Sequence, residues 1–237
     1  MSLKEYFNDC AGINGIEVTD EVRDKLLEFM QEVLAENKIQ NLTAITDEKD
    51  FISLHLIDCL SVVKYLPENA RVIDIGTGAG FPGMVIKIAR PDVEILFLDS
   101  LNKRIEFLKR TCDKLGLDKA DFTHARAEEL GLKNGYRESF DVAISRAVAK
   151  LSVLSEYCIP FVKVGGKFIA MKGREFEEEI IDAGEAGKIL GVGDWQVNEF
   201  ILKPSDSVRS IIIGEKHSPT PDKYPRRSKK ISTSPLK

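Results

Sequence analysis

RVIDIGTGAGFPGM, residues 71–84, decides the fold. Val72, Ile73, Asp74 and Ile75 read as a short buried strand, apolar except for one acid. Gly76, Gly78, Gly80 and Gly83 follow at once, and a helical pattern starts around Phe81–Pro82. Proline is tolerated near a first helical turn, where its missing N–H does no harm. Strand, glycine-rich turn and helix together set backbone N–H groups and a helix N-terminus against a nucleotide ligand. Glycine suits such a turn because the backbone takes unusual dihedrals and the ligand lies against bare main chain.

The spacing bears on which nucleotide. A dinucleotide fingerprint reads G-x-G-x-x-G; here it is G-x-G-x-G-x-x-G, with Asp74 two residues before the first glycine. An acid there would repel a pyrophosphate, but it suits a phosphate-free ligand with a cationic amino-acid end, such as S-adenosylmethionine. A second strand, 94–98, ends in Asp99, 23 residues after Gly76. A carboxylate in that place accepts hydrogen bonds from both ribose hydroxyls. These residues resemble the class I S-adenosylmethionine-dependent methyltransferases. A nicotinamide or flavin enzyme is the alternative, disfavoured by the spacing and by Asp74.

Outward from this stretch, strand and helix alternate, implying a mostly parallel sheet with right-handed crossovers. Strands are expected at 71–75, 94–98, 121–124, 140–145 and 167–171, the last after a turn at Gly165–Gly166. Helices are expected at about 81–89, 102–115, 150–158 and 175–190. Two final strands, about 195–202 and 208–215, read as a hairpin across 204–207. The expectation is an α/β fold, a Rossmann-like seven-stranded methyltransferase sheet. Ligands of such sheets lie beyond the carboxyl ends of the strands. Polar or glycine-rich clusters recur at those ends: Gly76–Gly80, Asp99-Ser100, 126–129, Ser145-Arg146 and 171–173. Cofactor contacts are therefore expected from Asp74, Gly76, Gly78, Gly80, Phe81 as an apolar wall, Asp99 on the ribose, and Ala127-Glu128 along the adenine. Arg146 is expected to meet the methionine carboxylate or the substrate.

Residues 1–66 read as a helical N-terminal extension. Thr19 is a candidate N-cap for a helix with Val22, Leu26, Phe29, Met30 and Val33 at helical spacing. NLTAIT, 41–46, reads as a turn, and 47–66 as a second helix stopped by Pro67. Residues 67–216 form the core and 217–237 a basic tail, within one structural domain. The chain of 237 residues has net charge −4. From Lys216 onward there are seven Lys/Arg and one Asp, a local +6 on a body of −10. An acidic body with a basic end suggests a polyanionic partner at one edge. No apolar run nears the roughly 20 residues that span a bilayer, and MSLKEYFNDC lacks a signal-peptide core. A cytoplasmic, membrane-free protein is expected. Cys10, Cys59, Cys112 and Cys158 lack C-x-x-C spacing, so buried thiols are expected, with neither disulfides nor a metal.

NLTAIT, H-x-x-D at His55–Asp58, DIGTGAGFPG at 74–83, DSLNKRIEFL at 99–108, RAEELG at 126–131, SRAVA at 145–149, MKG at 171–173 and YPRR at 224–227 together resemble the RsmG (GidB) family over nearly the whole chain. The resemblance implies methylation of guanine N7 in 16S small-subunit ribosomal RNA, with the RNA free or within a small-subunit particle. After YPR the family continues with a glycine–threonine–proline stretch, whereas this chain reads Ser228-Lys229-Lys230-Ile231-Ser232-Thr233. Guanine N7 carries an in-plane lone pair, so positioning groups suffice and no general base is required; Arg146, Lys172, His55 and Asn41 are the candidates. A cysteine-nucleophile route finds only Cys158-Ile159-Pro160, and an exocyclic-amine tetrad is replaced by Ser145-Arg146-Ala147-Val148. RNA contacts are expected from Lys172, Arg209, Arg226 and Arg227, on a monomer. Truncation after Lys216 is expected to weaken RNA binding and spare cofactor binding.

Overall fold

A computed structural model describes residues 1–146, 149–174 and 176–236. Two residues of the SRAVA motif (Ala147, Val148), the expected helix start at Glu175 and the last residue, Lys237, lie outside the described residues. Helix α1 (Leu3–Ile13) opens on a capping box, in which Ser2 Oγ accepts from the Glu5 N–H and the Glu5 carboxylate accepts from the Ser2 N–H. Helix α2 (Asp20–Gln40) is capped by Thr19, whose Oγ1 accepts from the Val22 N–H, and ends at Asn41 in a left-handed conformation. NLTAIT then forms the expected non-helical connection.

The expected single helix over 47–66 is instead interrupted. It comprises α3 (Glu48–Phe51), a π-helical turn (Ile52–Ile57), α4 (Asp58–Leu60) and a 3₁₀ turn (Val63–Tyr65). The widened turn spans His55 and leads into Asp58, both of which are buried. Such π insertions recur at functional sites.

The sheet runs in order β3-β2-β1-β4-β5-β7-β6. Its strands are β1 (Arg71–Ile75), β2 (Glu94–Asp99), β3 (Ala120–His124), β4 (Phe140–Arg146), β5 (Val162–Lys172), β6 (Val192–Leu202) and β7 (Ser207–Lys216). The first five are parallel; β7 joins β5 antiparallel and pairs with β6 as the expected hairpin. Strand β5 begins five residues before its expected start. Gly165–Gly166 is no turn but a bulge, with the register shifting between Phe140↔Val162 and Val142↔Lys167. A Cβ on Gly166 would come within 2.6 Å of the Asp141 carbonyl, so only glycine lets the two strands approach there.

Helices α5 (Gly83–Ala89) and α6 (Asn102–Leu115) cover one face with α1 and α2. Helices α7 (Ala127–Leu130), α8 (Leu151–Cys158) and α9 (Glu177–Leu190) cover the other. All four cysteines are free and buried, as expected.

The basic tail is not a solvated extension. Tyr224 and Leu236 are buried in the second core, Ile231 is fully buried, and residues Ser228–Thr233 form α10. Burying three such side chains contributes roughly 1.5–3 kcal/mol each, enough to offset the ordering of a short segment. Arg137 reinforces the seat by donating to the carbonyls of Thr220 (2.6 Å) and Tyr224 (2.8 Å).

Candidate functional site

The parallel register brings the carboxyl ends of β1, β2, β4 and β5 together: Ile75 pairs with Leu98, Asp74 with Ile144 and Arg146 with Met171. The strand order reverses between β1 and β4, the place where open α/β sheets hold ligands. Gly76, Gly78 and Gly80 take positive φ (71°, 59° and 101°), as the sequence required. Their roles differ. A Cβ on Gly78 would meet only the Gly76 carbonyl, at 3.8 Å, so the position faces open space. On Gly80 it would strike Met84 Cγ at 2.5 Å, and on Gly83 it would strike Asp74 Oδ2 at 2.5 Å and Phe97 at 2.6 Å. Gly78→Val is therefore expected to cost only about 1–2 kcal/mol of backbone strain yet weaken S-adenosylhomocysteine binding tenfold or more. Gly83→Val should unfold the loop. Calorimetric titration and urea unfolding separate the two effects, and a Gly78→Val chain of full affinity would remove the loop from the site.

Asp99 organises this turn. Its Oδ2 accepts from the Gly78 N–H (3.0 Å) and from Arg104 Nη1 (3.3 Å), and its Oδ1 from the Leu101 N–H (2.9 Å). Beside it lies a cavity of about 410 Å³, lined by Gly76, Asp99 and Ser100 at the β1 and β2 ends, by Arg104 of α6, and by Ala125 to Glu128 after β3. Arg146, Tyr157 and Ser228 complete the wall. The volume lies in the range of small-ligand sites. Asp74 is placed differently from its expected role. It is fully buried behind the loop, where Oδ2 accepts from Thr77 Oγ1 (2.6 Å) and the Gly83 N–H (3.0 Å), while Oδ1 has no hydrogen-bond partner among the described residues. Burial pushes its carboxyl up to about 7, against those two hydrogen bonds.

A second cavity, about 300 Å³, shares Arg146 with the first. Its wall includes Ile45, His55, Asp58, Met171, Lys172 and Arg209. Arg146 is its hub. One guanidinium nitrogen donates to Asp58 Oδ2 (3.1 Å) and the Leu54 carbonyl (3.3 Å), and the other to His55 Nδ1 (3.0 Å). Guanidinium has no acceptor, so Nδ1 must be the bare nitrogen. His55 Nε2–H then donates to Thr43 Oγ1 at 2.8 Å. Phe81 is the platform beneath both, with the His55 ring stacked at 4.5 Å and the Arg146 carbon 4.8 Å from its centroid. Phe81 is thus no wall of the first cavity. Arg209 Nε completes the cluster as an ion pair 3.2 Å from Asp58 Oδ1, without hydrogen-bond alignment.

Burial, with the nearby Arg146 charge, pushes the His55 imidazole down to about 3, so it is neutral. Burial raises Asp58, and the two guanidinium groups oppose that rise. His55 and Asp74 give opposite pH slopes. From about pH 6.5 downward the unfolded chain protonates residue 55 and the folded chain does not, so this contribution is lost with acid. Between about pH 4 and 7 the folded chain retains a proton on Asp74 that the unfolded chain has released, so that contribution is lost as pH rises. The slopes offset in the parent protein. Urea titrations of His55→Gln should show stability falling from about pH 4 to 7, and those of Asp74→Asn stability rising. Two flat profiles would remove both assignments.

Lys172 is half-buried, paired with Glu179 at 2.8 Å and bonded to the Ala149 carbonyl. Asn41 is an exposed helix cap outside both cavities; Thr43, two residues on, makes the motif's contact. Arg227 is exposed, whereas Arg226 is turned inward onto Glu156 at 2.6 Å, which makes it an anchor of the tail rather than an outward cation. Sequence reasoning missed Arg104, Tyr157 and Ser228 in the first cavity; Arg126 was named only within the 126–129 cluster. Asp58 was visible in the H-x-x-D spacing, but nothing in that spacing says it would bind two arginines. Among the described residues no group could hold a metal ion, and no helix is long and apolar enough to cross a membrane.

The family model described as rRNA small subunit methyltransferase G matches residues 22–208. A protein of Alkaliphilus oremlandii named ribosomal RNA small subunit methyltransferase G is 46% identical over 239 residues, covering all of both chains. One of the same name from Acetivibrio thermocellus is 43% identical over all of this chain and 98% of its own. Among solved structures, a SAM-dependent O-methyltransferase from Thermotoga maritima aligns with TM-score 0.55 at 15% identity, over 80% of this chain and 73% of that one. TYW2 of M. jannaschii in complex with AdoMet aligns with TM-score 0.52 at 13% identity, over 68% and 76%. At such identities the structures bear out the fold alone.

Proposed function

The chain belongs to the rRNA small subunit methyltransferase G family, and from that premise we propose that it moves a methyl group from S-adenosylmethionine to N7 of a guanine in 16S ribosomal RNA. The observation that carries the reading is the shared wall: Arg146 faces both a cavity suited to an adenosyl ligand and a second one suited to a flat base. The donor fits the first. Asp99 offers its carboxylate for the ribose, Ala127-Glu128 flank the nucleobase end, and bare backbone at Gly78 allows close approach. Asp74, buried behind the loop, lines neither cavity, and holds the loop through Thr77 and the Gly83 N–H.

S-adenosylmethionine supplies a methyl carbon on a positively charged sulfur. The guanine N7 lone pair forms the new carbon–nitrogen bond as the carbon–sulfur bond breaks, the positive charge passes to guanine, and no proton moves. The second cavity is suited to such chemistry because its candidate bases are engaged: the bare nitrogen of His55 is filled by Arg146, and Asp58 is paired with two guanidinium groups. The work left for these side chains is to orient the base and keep water out. The guanine would enter from a loop or other single-stranded region, where it can be unstacked. Lys172, Arg209 and Arg227 would meet its carbonyl edge or flanking phosphates, with a monomer acting in the cytoplasm on free RNA or on a small-subunit particle.

The test is transfer from labelled S-adenosylmethionine to 16S RNA, free and as particles, followed by nucleoside analysis. Label in 7-methylguanosine is the expected result. Label in another nucleoside would overturn the N7 reading, and none in either RNA form would overturn the substrate.

A further inference from the structure

We propose that the C-terminal segment completes the methyl-donor site, and that the hydroxyls of Tyr157 and Ser228 form a subsite for the 6-amino edge of an adenine-bearing ligand. The inference rests on the donor part of the reading above and is independent of the RNA substrate.

Both residues line the first cavity, although they lie 71 positions apart. Tyr157 projects from α8 and Ser228 opens α10, and their hydroxyl oxygens are 3.2 Å apart. Each hydroxyl has one hydrogen and two lone pairs. One hydrogen closes the bond between them. The other O–H and the spare lone pairs remain for a ligand, an arrangement that offers a donor beside acceptors. Adenine shows the complement at its amino edge: an exocyclic N–H₂ beside ring nitrogens with lone pairs.

Placement favours the nucleobase over the amino-acid end. The tail turns against Gly131, the residue after α7; a Cβ there would touch Pro225 Cγ at 3.4 Å. Helix α7 begins with Ala127-Glu128, the nucleobase flank, and both α7 and α10 pack on α8. The seat of Ser228 is fixed from both sides. Arg226, two residues before it, is held by buried Glu156, and Ile231, three after it and on the same helical face, is fully buried. Lys229 and Lys230 point outward. The tail that was expected to be a bystander to the cofactor is therefore a wall of its pocket.

A cycle on the full chain tests this. S-adenosylhomocysteine and its 6-deamino analogue, with hydrogen in place of the amino group, are titrated calorimetrically into the parent protein, Tyr157→Phe, Ser228→Ala and the outward-facing control Ser232→Ala. In the parent and the control, loss of the amino group should weaken binding tenfold or more. In Tyr157→Phe and Ser228→Ala that penalty should fall to threefold or less, because the partner hydroxyl is already gone. Equal weakening of both ligands in these variants, unchanged affinity, or a parent that does not distinguish the ligands would each overturn the subsite. A parent that binds neither ligand would overturn the donor reading as well.

Discussion

Arg146→Ala is expected to lower the single-turnover rate of methyl transfer about 10²-fold or more, since small misplacements of bound reactants have effects of that size. The residue borders both cavities and fixes four groups at once: His55, the Leu54 carbonyl, Asp58 and the face of Phe81. Its removal frees the His55 Nδ1 lone pair and leaves buried Asp58 with Arg209 alone. Loss of one partner from a buried ion pair costs about 3–5 kcal/mol; the remaining Arg209 places this case at the lower end. Arg146→Lys should recover little, because an ammonium cannot donate as a planar fork in three directions. Rapid-quench turnover with donor pre-bound reads the chemical step, and urea unfolding reads stability. A variant turning over at the parent rate would exclude Arg146 from the shared wall.

Arg226→Ala should produce the largest loss of stability, about 3–5 kcal/mol. Glu156 is fully buried on α8, and among the described residues its carboxylate accepts only from Arg226: from the backbone N–H (2.7 Å), Nε (2.8 Å) and Nη2 (2.6 Å). In the variant, only the backbone N–H remains to satisfy a buried charge. The double variant Arg226→Leu with Glu156→Leu should recover most of the loss, because a well-packed apolar pair replaces a buried ion pair at little cost. Urea unfolding curves of the parent and both variants decide it. A loss under about 1 kcal/mol would show that burial of Tyr224, Ile231 and Leu236 seats the tail without the ion pair.

These two arginines show where sequence reading succeeded and where it stopped. Arg146 was legible because it ends a strand: short apolar runs mark the buried strands and their ends, and a parallel sheet must place those ends together. The same logic gave Asp99, Ala127-Glu128 and the glycine turn, all within a few residues of a strand terminus. It also gave the seven strands, whose bounds match the structure within a residue except at the β5 bulge and at the start of β6, where pairing begins three residues earlier, at Val192, across a second irregularity. Arg226 was misplaced because a run of Lys and Arg looks alike whether it faces water or a buried Glu156, and no local pattern announces a partner 70 residues away. Phe81 carries the same lesson: an aromatic beside the glycine turn suggests a ligand wall, yet its ring is taken by His55 and Arg146.

By itself, then, the sequence determined the sheet, its glycine turn and the strand ends that line the cavities, because dihedral preference and hydrophobic runs are properties of neighbouring residues. Only the tertiary structure decided the protonation of His55, the bridging of two arginines by Asp58 and the closing of the first cavity by Tyr157 and Ser228. Each depends on burial and on distances between segments far apart in the chain, which the linear order of residues does not encode.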